Sequence, residues 1–286
     1  MTLPAIPGLS AAGADIPVIG FGTSQLGDCA ETVAAALKLG YRHIDTAWKY
    51  GSEKGVGAGI KASGVPRKDI FLVTKVSHEY LRKDDFARSV DESLRNLQVD
   101  YVDMLHIHWP TVDGIPLAET VGALVKAKRD GLTRHIGVAN FNIALLQEAM
   151  RLSPEPLATL QAEYHPYLDQ SKVLNFCKRE GIVFTAFCPL GRGKLFQDPV
   201  LTEIARAKGK TIAQIALRWQ IQQGNIAPIP RSANPAHMAE SLAIFDFALT
   251  DEEMRRIHAL ARPDGRISNP AGRAPVWDQI SPQLPR

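Results

Sequence analysis

The sequence predicts a closed parallel (β/α)8 barrel, and three observations lead there. Short apolar runs alternate with longer amphipathic ones eight times, without a break in composition. A chain of 286 residues that is 45% apolar can bury one large core, and single α/β barrels commonly reach about 250 residues. Polar residues able to do chemistry recur where the runs read as strands end, the rim on which such barrels collect their active groups. An open doubly wound sheet is the alternative, but no Gly-x-Gly-x-x-Gly follows the first strand.

In chain order, residues 16–21 are the first strand, and the Gly- and Pro-containing segment before it reads as a hairpin plugging the bottom of the barrel. Helix 30–39 stops at Gly40, and strand 41–45 leads through a loop into helix 53–62. Strand 70–75 and helix 84–97 follow, then strand 101–107 and helix 117–129, which Asp130-Gly131 ends. The fifth and sixth units are strand 135–138 with helix 143–152, and strand 159–162 with helix 172–179. Strand 183–187 carries two helices, 200–207 and 212–222, and strand 226–229 with helix 235–244 makes the eighth unit. Residues 262–286 are rich in Pro and Gly and show no period, which suits either a disordered tail or a loop over the barrel mouth, and Trp277 favours the packed loop. One domain spans 1–286, with 262–286 as its tail.

Composition narrows the function. A formal charge of +3, with Lys and Arg mixed evenly among Asp and Glu, argues against nucleic acid or an acidic membrane surface as partner. Cys29, Cys177 and Cys188 are few, odd in number and far apart, which fits a reducing compartment and offers neither a disulfide framework nor zinc spacing. Residues 1–10 have no basic or apolar leader pattern, and no run reaches membrane-spanning length, so the protein is read as cytoplasmic.

The chemistry centres on residues 40–53, GYRHIDTAWKYGSE, where Asp45 ends a strand and Tyr50 stands on the loop after it. Lys75 and His108 close the next two strands. Buried charges are costly unless paired, so Asp45 and Lys75 are expected to meet. A tyrosine beside that lysine would have its pKa drawn below the ordinary value of about 10, making Tyr50 a general acid. The bland reading of Asp45 and Lys75 is a structural ion pair. A rival from another class takes His43, Asp45, His106 and His108 as the metal ligands of a barrel hydrolase. It leaves Lys75 and the Arg231-Ser232 segment without a role, and no metal site is expected.

Over almost its whole length the chain resembles the aldo-keto reductases, in particular the bacterial 2,5-diketo-D-gluconate and methylglyoxal reductase group. The resemblance rests on GYRHIDTAWKYGSE, on TKV at 74–76, DYVDMLHIHWP at 100–110 and IGVANF at 136–141. It continues through QAEYHPYL at 161–168, CPLGRGKL at 188–195 and IPRSANPAHMAES at 229–241. It implies a TIM barrel that binds NADPH across its mouth and reduces small aldehydes and ketones, acting as a monomer. It places the catalytic tetrad on Asp45, Tyr50, Lys75 and His108, with Tyr50 as proton donor to a carbonyl held between Tyr50 and His108.

The resemblance also assigns cofactor residues. Gly22, Thr23 and Asp45 lie along the first two strand ends, and Asn140 and Gln161 match positions that bind the nicotinamide carboxamide. Ala139 stands where a serine usually precedes the asparagine, and Phe187 where an aromatic ring stacks on the nicotinamide. Pro189, Leu190 and Gly191 begin a short loop that continues through Arg192, Gly193 and Lys194 and suits the pyrophosphate. Arg231 replaces a lysine, Ser232 and Glu240 are kept, and His237 replaces the arginine that grips the 2′-phosphate, which relaxes discrimination against NADH. Ser24, Lys49, Trp109 and Trp277 are the substrate-side candidates, with Ser24 and Ser77 standing where relatives carry bulky aromatics. Lys49 is read as a partner for a substrate carboxylate, against the bland reading of a lysine reaching solvent. A catalytically silent NADPH-binding regulatory subunit is the non-enzymatic alternative.

Overall fold

The computed structural model describes residues 6–110 and 114–278. Eight parallel strands form one curled sheet in sequential order: β3 (Phe21–Gly22), β4 (His43–Asp45), β5 (Phe71–Val76), β6 (Val102–Ile107), β7 (Thr133–Ala139), β8 (Leu157–Glu163), β9 (Val183–Phe187) and β10 (Ile226–Pro228). Every pairing between neighbours is parallel. The first and last strands are joined by backbone bonds of 2.9 Å, from Gly20 N–H to the Pro228 carbonyl and from Gly22 N–H to the Pro230 carbonyl. Pro228 and Pro230 can accept but not donate, so this seam is held from one side only. Strands such as β6 and β8 are buried at every position, as expected where helices cover a sheet whose other face is the barrel interior.

The hairpin is formed by β1 (Gly8–Ala11) and β2 (Ala14–Pro17). Ala11, Ala14 and Ile16 pack with Val73, Met104, Ala158, Val183 and Ala227 in a core of their own, which closes the lower end of the barrel. This corrects the expected first strand at 16–21. The apolar run is divided, its first part pairing with β1 and its end with β4 and the 228–230 seam. Pro17 cannot donate to a continuing ladder, and its carbonyl accepts from His43 Nδ1 instead.

The helices follow the expected order with shifted ends: α1 (Ala30–Leu39), α2 (Glu53–Ser63), α3 (Lys83–Leu97), α4 (Leu117–Arg129), α5 (Ile143–Leu152), α6 (Ser171–Arg179), α7 (Pro199–Lys208), α8 (Ile212–Gln222) and α9 (Pro235–Leu242). A further helix, α10 (Asp251–His258), was not expected. It begins with a Thr250/Glu253 capping box but buries only Ile257, so its apolar signal is weak. Among the described residues no helix is long and apolar enough to cross a membrane.

The tail folds back over the mouth as expected as far as residue 278; residues 279–286 lie outside the described residues. Three clasps hold it. Glu163 accepts from the N–H groups of Ile267 and Ser268 at 2.7 and 2.6 Å, Asn142 donates to the Val276 carbonyl, and Asp278 accepts from Ile143 N–H.

Candidate active site

The strand ends bring Asp45, Lys75 and His108 onto one rim. Asp45 is the last residue of β4, Lys75 lies near the end of β5, and His108 follows β6 with its N–H on the Val76 carbonyl. Tyr50 is delivered by a 3-10 turn, Trp48–Tyr50, that Gly51 ends at φ 66°, a backbone state other residues enter only at a cost.

Lys75 Nζ lies 2.6 Å from Asp45 Oδ1 and 2.7 Å from the Thr46 carbonyl, and both side chains of the pair are buried. The second carboxylate oxygen of Asp45 accepts from Gln161 Nε2 at 2.7 Å. The Lys75 ammonium stands 5.2 Å from the centre of the Tyr50 ring, and the Tyr50 and His108 rings meet edge to face at 5.6 Å. Asp45, Tyr50 and His108 thus line the cleft, while fully buried Lys75 lies behind them.

The electrostatics differ from expectation at Tyr50. Burial, and then the negative charge of Asp45 with a smaller influence from Cys188, push the phenol well above its usual value instead of below it. His108 is held well below the ordinary imidazole value by burial, then by Lys75 and Arg273, so it is neutral.

The four residues of the hydrolase alternative do not assemble. His43 bonds the Pro17 carbonyl and His106 Nε2 meets Thr159 Oγ1 at 2.5 Å, so each is engaged apart from the other. Among the described residues no three His, Cys, Asp or Glu side chains come together as a cation site. Burial lowers the pKa of both histidines, as for neutral imidazoles filling a core.

A cleft of about 640 Å3 runs from Tyr50, His108 and Trp109 past Asn140, Gln161 and Phe187 to Ser232, His237 and Glu240. Gly22, Ser24, Pro189, Leu190 and Arg231 also line it. Thr23 lies beneath the wall, donating to the Asp45 carbonyl, and buried Gly191 supports the loop from behind. Trp277 backs the wall, its ring 6.3 Å from that of Trp109. Lys49 is engaged elsewhere: its ammonium is held at 2.8 Å by both oxygens of Glu79, which also accepts from Ser77, so it offers no free cation to a substrate carboxylate. Gln25, Cys188, Phe196 and Ser241 line the cleft unforeseen. Cys188 and Ser241 lie at the ends of the 188–195 and 229–241 motifs, and Phe196 carried a signal as an aromatic beside the basic glycine loop.

The lining fits an extended dinucleotide. Asn140 donates to the His108 carbonyl at 2.8 Å, leaving its buried Oδ1 without a partner among the described residues, an acceptor set for an amide N–H. A Cβ on Gly22 would stand 3.1 Å from the Ile229 carbonyl, so glycine lets the two strands of the seam approach closely beside the cleft. Phe187 supplies a ring face and Arg192 and Arg231 supply charge.

A parallel barrel with an acid, a lysine, a tyrosine and a histidine gathered on its C-terminal rim beside a dinucleotide-sized cleft belongs to the class of nicotinamide-dependent carbonyl oxidoreductases. The chain is a member of the aldo/keto reductase family, which matches residues 18–262. It is 41% identical over 267 residues to methylglyoxal reductase DkgB of Salmonella typhimurium, covering 92% of this chain and 99% of that protein. Among solved structures, it superposes with a TM-score of 0.94 on a protein provisionally named 2,5-diketo-D-gluconic acid reductase B, 49% identical, with 96% of this chain and 98% of that one covered. A Bombyx mori aldo-keto reductase in complex with NADP superposes with a TM-score of 0.85 at 32% identity, covering 90% and 93% of the two chains.

Proposed function

We propose that this protein reduces aldehydes and ketones, 2-oxoaldehydes and keto-sugar acids among them, with NADPH as preferred cofactor and NADH as a weaker one. The observation that carries this reading is the meeting of Tyr50 and His108 at 5.6 Å in front of the buried Lys75–Asp45 pair. The relatives named for methylglyoxal and 2,5-diketo-D-gluconic acid support the substrate range. A nicotinamide dinucleotide bound in this cleft supplies the hydride.

The residues of the chain do the rest. Tyr50 and His108 grip the carbonyl oxygen, and neutral His108 donates a hydrogen bond to it. As negative charge grows on that oxygen, Tyr50 transfers its phenolic proton. A raised pKa keeps the phenol protonated until an alkoxide, a stronger base than phenolate, forms beside it. Lys75, 5.2 Å from the ring, then faces the new phenolate and stabilises it. Asn140, Gln161 and Phe187 position the carboxamide and ring face of the cofactor, the 191–194 loop its pyrophosphate, and Arg231, Ser232, His237 and Glu240 its adenosine end. The enzyme acts as a cytoplasmic monomer of one barrel domain.

The test is the initial rate of NADPH and NADH oxidation with methylglyoxal, for wild type and Tyr50→Phe after chelation. Wild-type turnover that survives chelation and falls about a hundred- to ten-thousand-fold in the variant supports the reading. Tight NADPH binding without turnover of any aldehyde would favour a regulatory subunit instead.

A further inference from the structure

The tail places two arginines behind the Trp109 wall of the cleft, one beside Trp109 and one on Trp277, and neither has a carboxylate within ion-pairing distance among the described residues. Arg266 lies flat on Trp277, its guanidinium carbon 3.7 Å from the ring centre. Arg273 stands 5.8 Å from the ring of Trp109, with Nη1 3.3 Å from His78 Nε2. Trp109 is itself a wall of the cleft and the chain neighbour of His108.

These guanidinium groups are only partly satisfied. Nε of Arg273, and Nε and Nη1 of Arg266, are buried without an acceptor among the described residues. Buried donors are ordinarily paired, and a guanidinium fork in a dry setting calls for a planar anion. Lys49, on the same side of the site, is by contrast neutralised by Glu79. The tail adds to the positive field at the reacting end, where Arg273 joins Lys75, His78 and Lys49 among the charges that lower His108.

The phosphates of a dinucleotide are not the missing anion. Their cradle, at Arg192, Gly193, Arg231 and His237, follows β9 and β10, whereas Trp109 follows β6 and the tail lies over that side.

We propose that Arg273 is a specificity-determining residue that takes the carboxylate of an anionic carbonyl substrate, with Arg266 on Trp277 adding to the positive field behind it. The proposal rests on the reductase reading and names the class of substrate that reading favours: oxo acids, with the carbonyl between Tyr50 and His108 and the carboxylate toward the tail.

The test compares succinate semialdehyde with butanal, which share chain length and differ in the carboxylate, using wild type, Arg273→Gln, Arg273→Lys and Arg266→Gln at saturating NADPH. The quantity read is the ratio of kcat/KM for acid over neutral aldehyde, in which general damage to the fold cancels. Wild type should favour the acid by about tenfold or more, Arg273→Gln should remove most of that ratio through KM, and Arg273→Lys should restore part of it. Arg266→Gln should lower the ratio by about two- to fivefold. Succinate should bind the NADP+ complex of wild type and lose about tenfold in affinity in Arg273→Gln, a readout independent of turnover. A ratio unchanged by Arg273→Gln, or a wild type that reduces butanal without preference for the acid, overturns the proposal and leaves the reductase intact. A wild type that reduces neither, nor methylglyoxal, removes the reductase reading and this proposal with it.

Discussion

Gln161 donates its amide N–H to Asp45 at 2.7 Å, on the carboxylate oxygen that Lys75 leaves free. A carboxylate accepts only donors, so this contact decides which end of the Gln161 amide is which and leaves Oε1 as its acceptor. It also divides the buried charge of Asp45 between two donors on separate strands, β5 and β8.

The Asp45–Lys75 pair is worth more intact than halved. Lys75→Met leaves a buried carboxylate with Gln161 as its remaining donor, and should cost about 3–5 kcal/mol in urea unfolding as well as turnover. Asp45→Asn combined with Lys75→Met should regain much of the stability while staying inactive. Equal unfolding midpoints for the single and double variants would show that Lys75 does not neutralise Asp45.

Asn140 joins backbone and cofactor chemistry. It sits at φ 63°, donates to the His108 carbonyl and keeps Oδ1 unfilled. Asn140→Ala should weaken NADPH binding about tenfold, or about 1.4 kcal/mol, measured by quenching of protein fluorescence. Asn140→Gly should bind as weakly yet be more stable than the alanine variant by about 1 kcal/mol, since glycine enters positive φ freely. Wild-type affinity in either variant would remove Oδ1 from the cofactor site.

The tail should loosen in acid. Burial works to raise the Glu163 carboxyl, but the donors His165, Ile267 and Ser268 outweigh it and hold the group below its usual range. A depressed folded pKa adds stability that is complete above the unfolded value, about 4.3, and lost as pH falls through the folded one. Tryptophan emission, reporting Trp109 and Trp277, should therefore shift below about pH 4, and Glu163→Gln should show the shifted spectrum already at neutral pH. Superimposable spectra of wild type and Glu163→Gln at pH 7 would mean that other contacts hold the tail.

His237 sets cofactor preference in the proposed adenosine end of the cleft. His237→Arg should lower KM for NADPH about five- to tenfold and leave that for NADH within about twofold, because a planar guanidinium grips a phosphate with two parallel bonds and an imidazole cannot. Equal changes in both would place the 2′-phosphate elsewhere.

Much of this protein was legible in the chain itself. The eight alternations, the hairpin and the strand-end positions of Asp45, Lys75 and His108 follow from local period, and parallel strands taken in order must bring such ends onto one rim. The residues the structure settled differently are those whose fate depends on distant partners. Pro17 divides residues 16–22 between two ladders because of what β1 and the 228–230 seam offer. Lys49 is ion-paired because Glu79 stands 30 positions away in sequence and 2.8 Å away in space. The Tyr50 phenol rises because the fold buries it and sets the Asp45 carboxylate beside it. The course of the tail, and with it the placing of Arg266 and Arg273, is decided by a Glu163 carboxylate more than a hundred residues earlier. Local pattern determined by itself where the elements lie and which residues reach the rim. Which charge meets which was decided only in the folded protein, because pairing and burial act between residues that the fold, not the chain, makes neighbours.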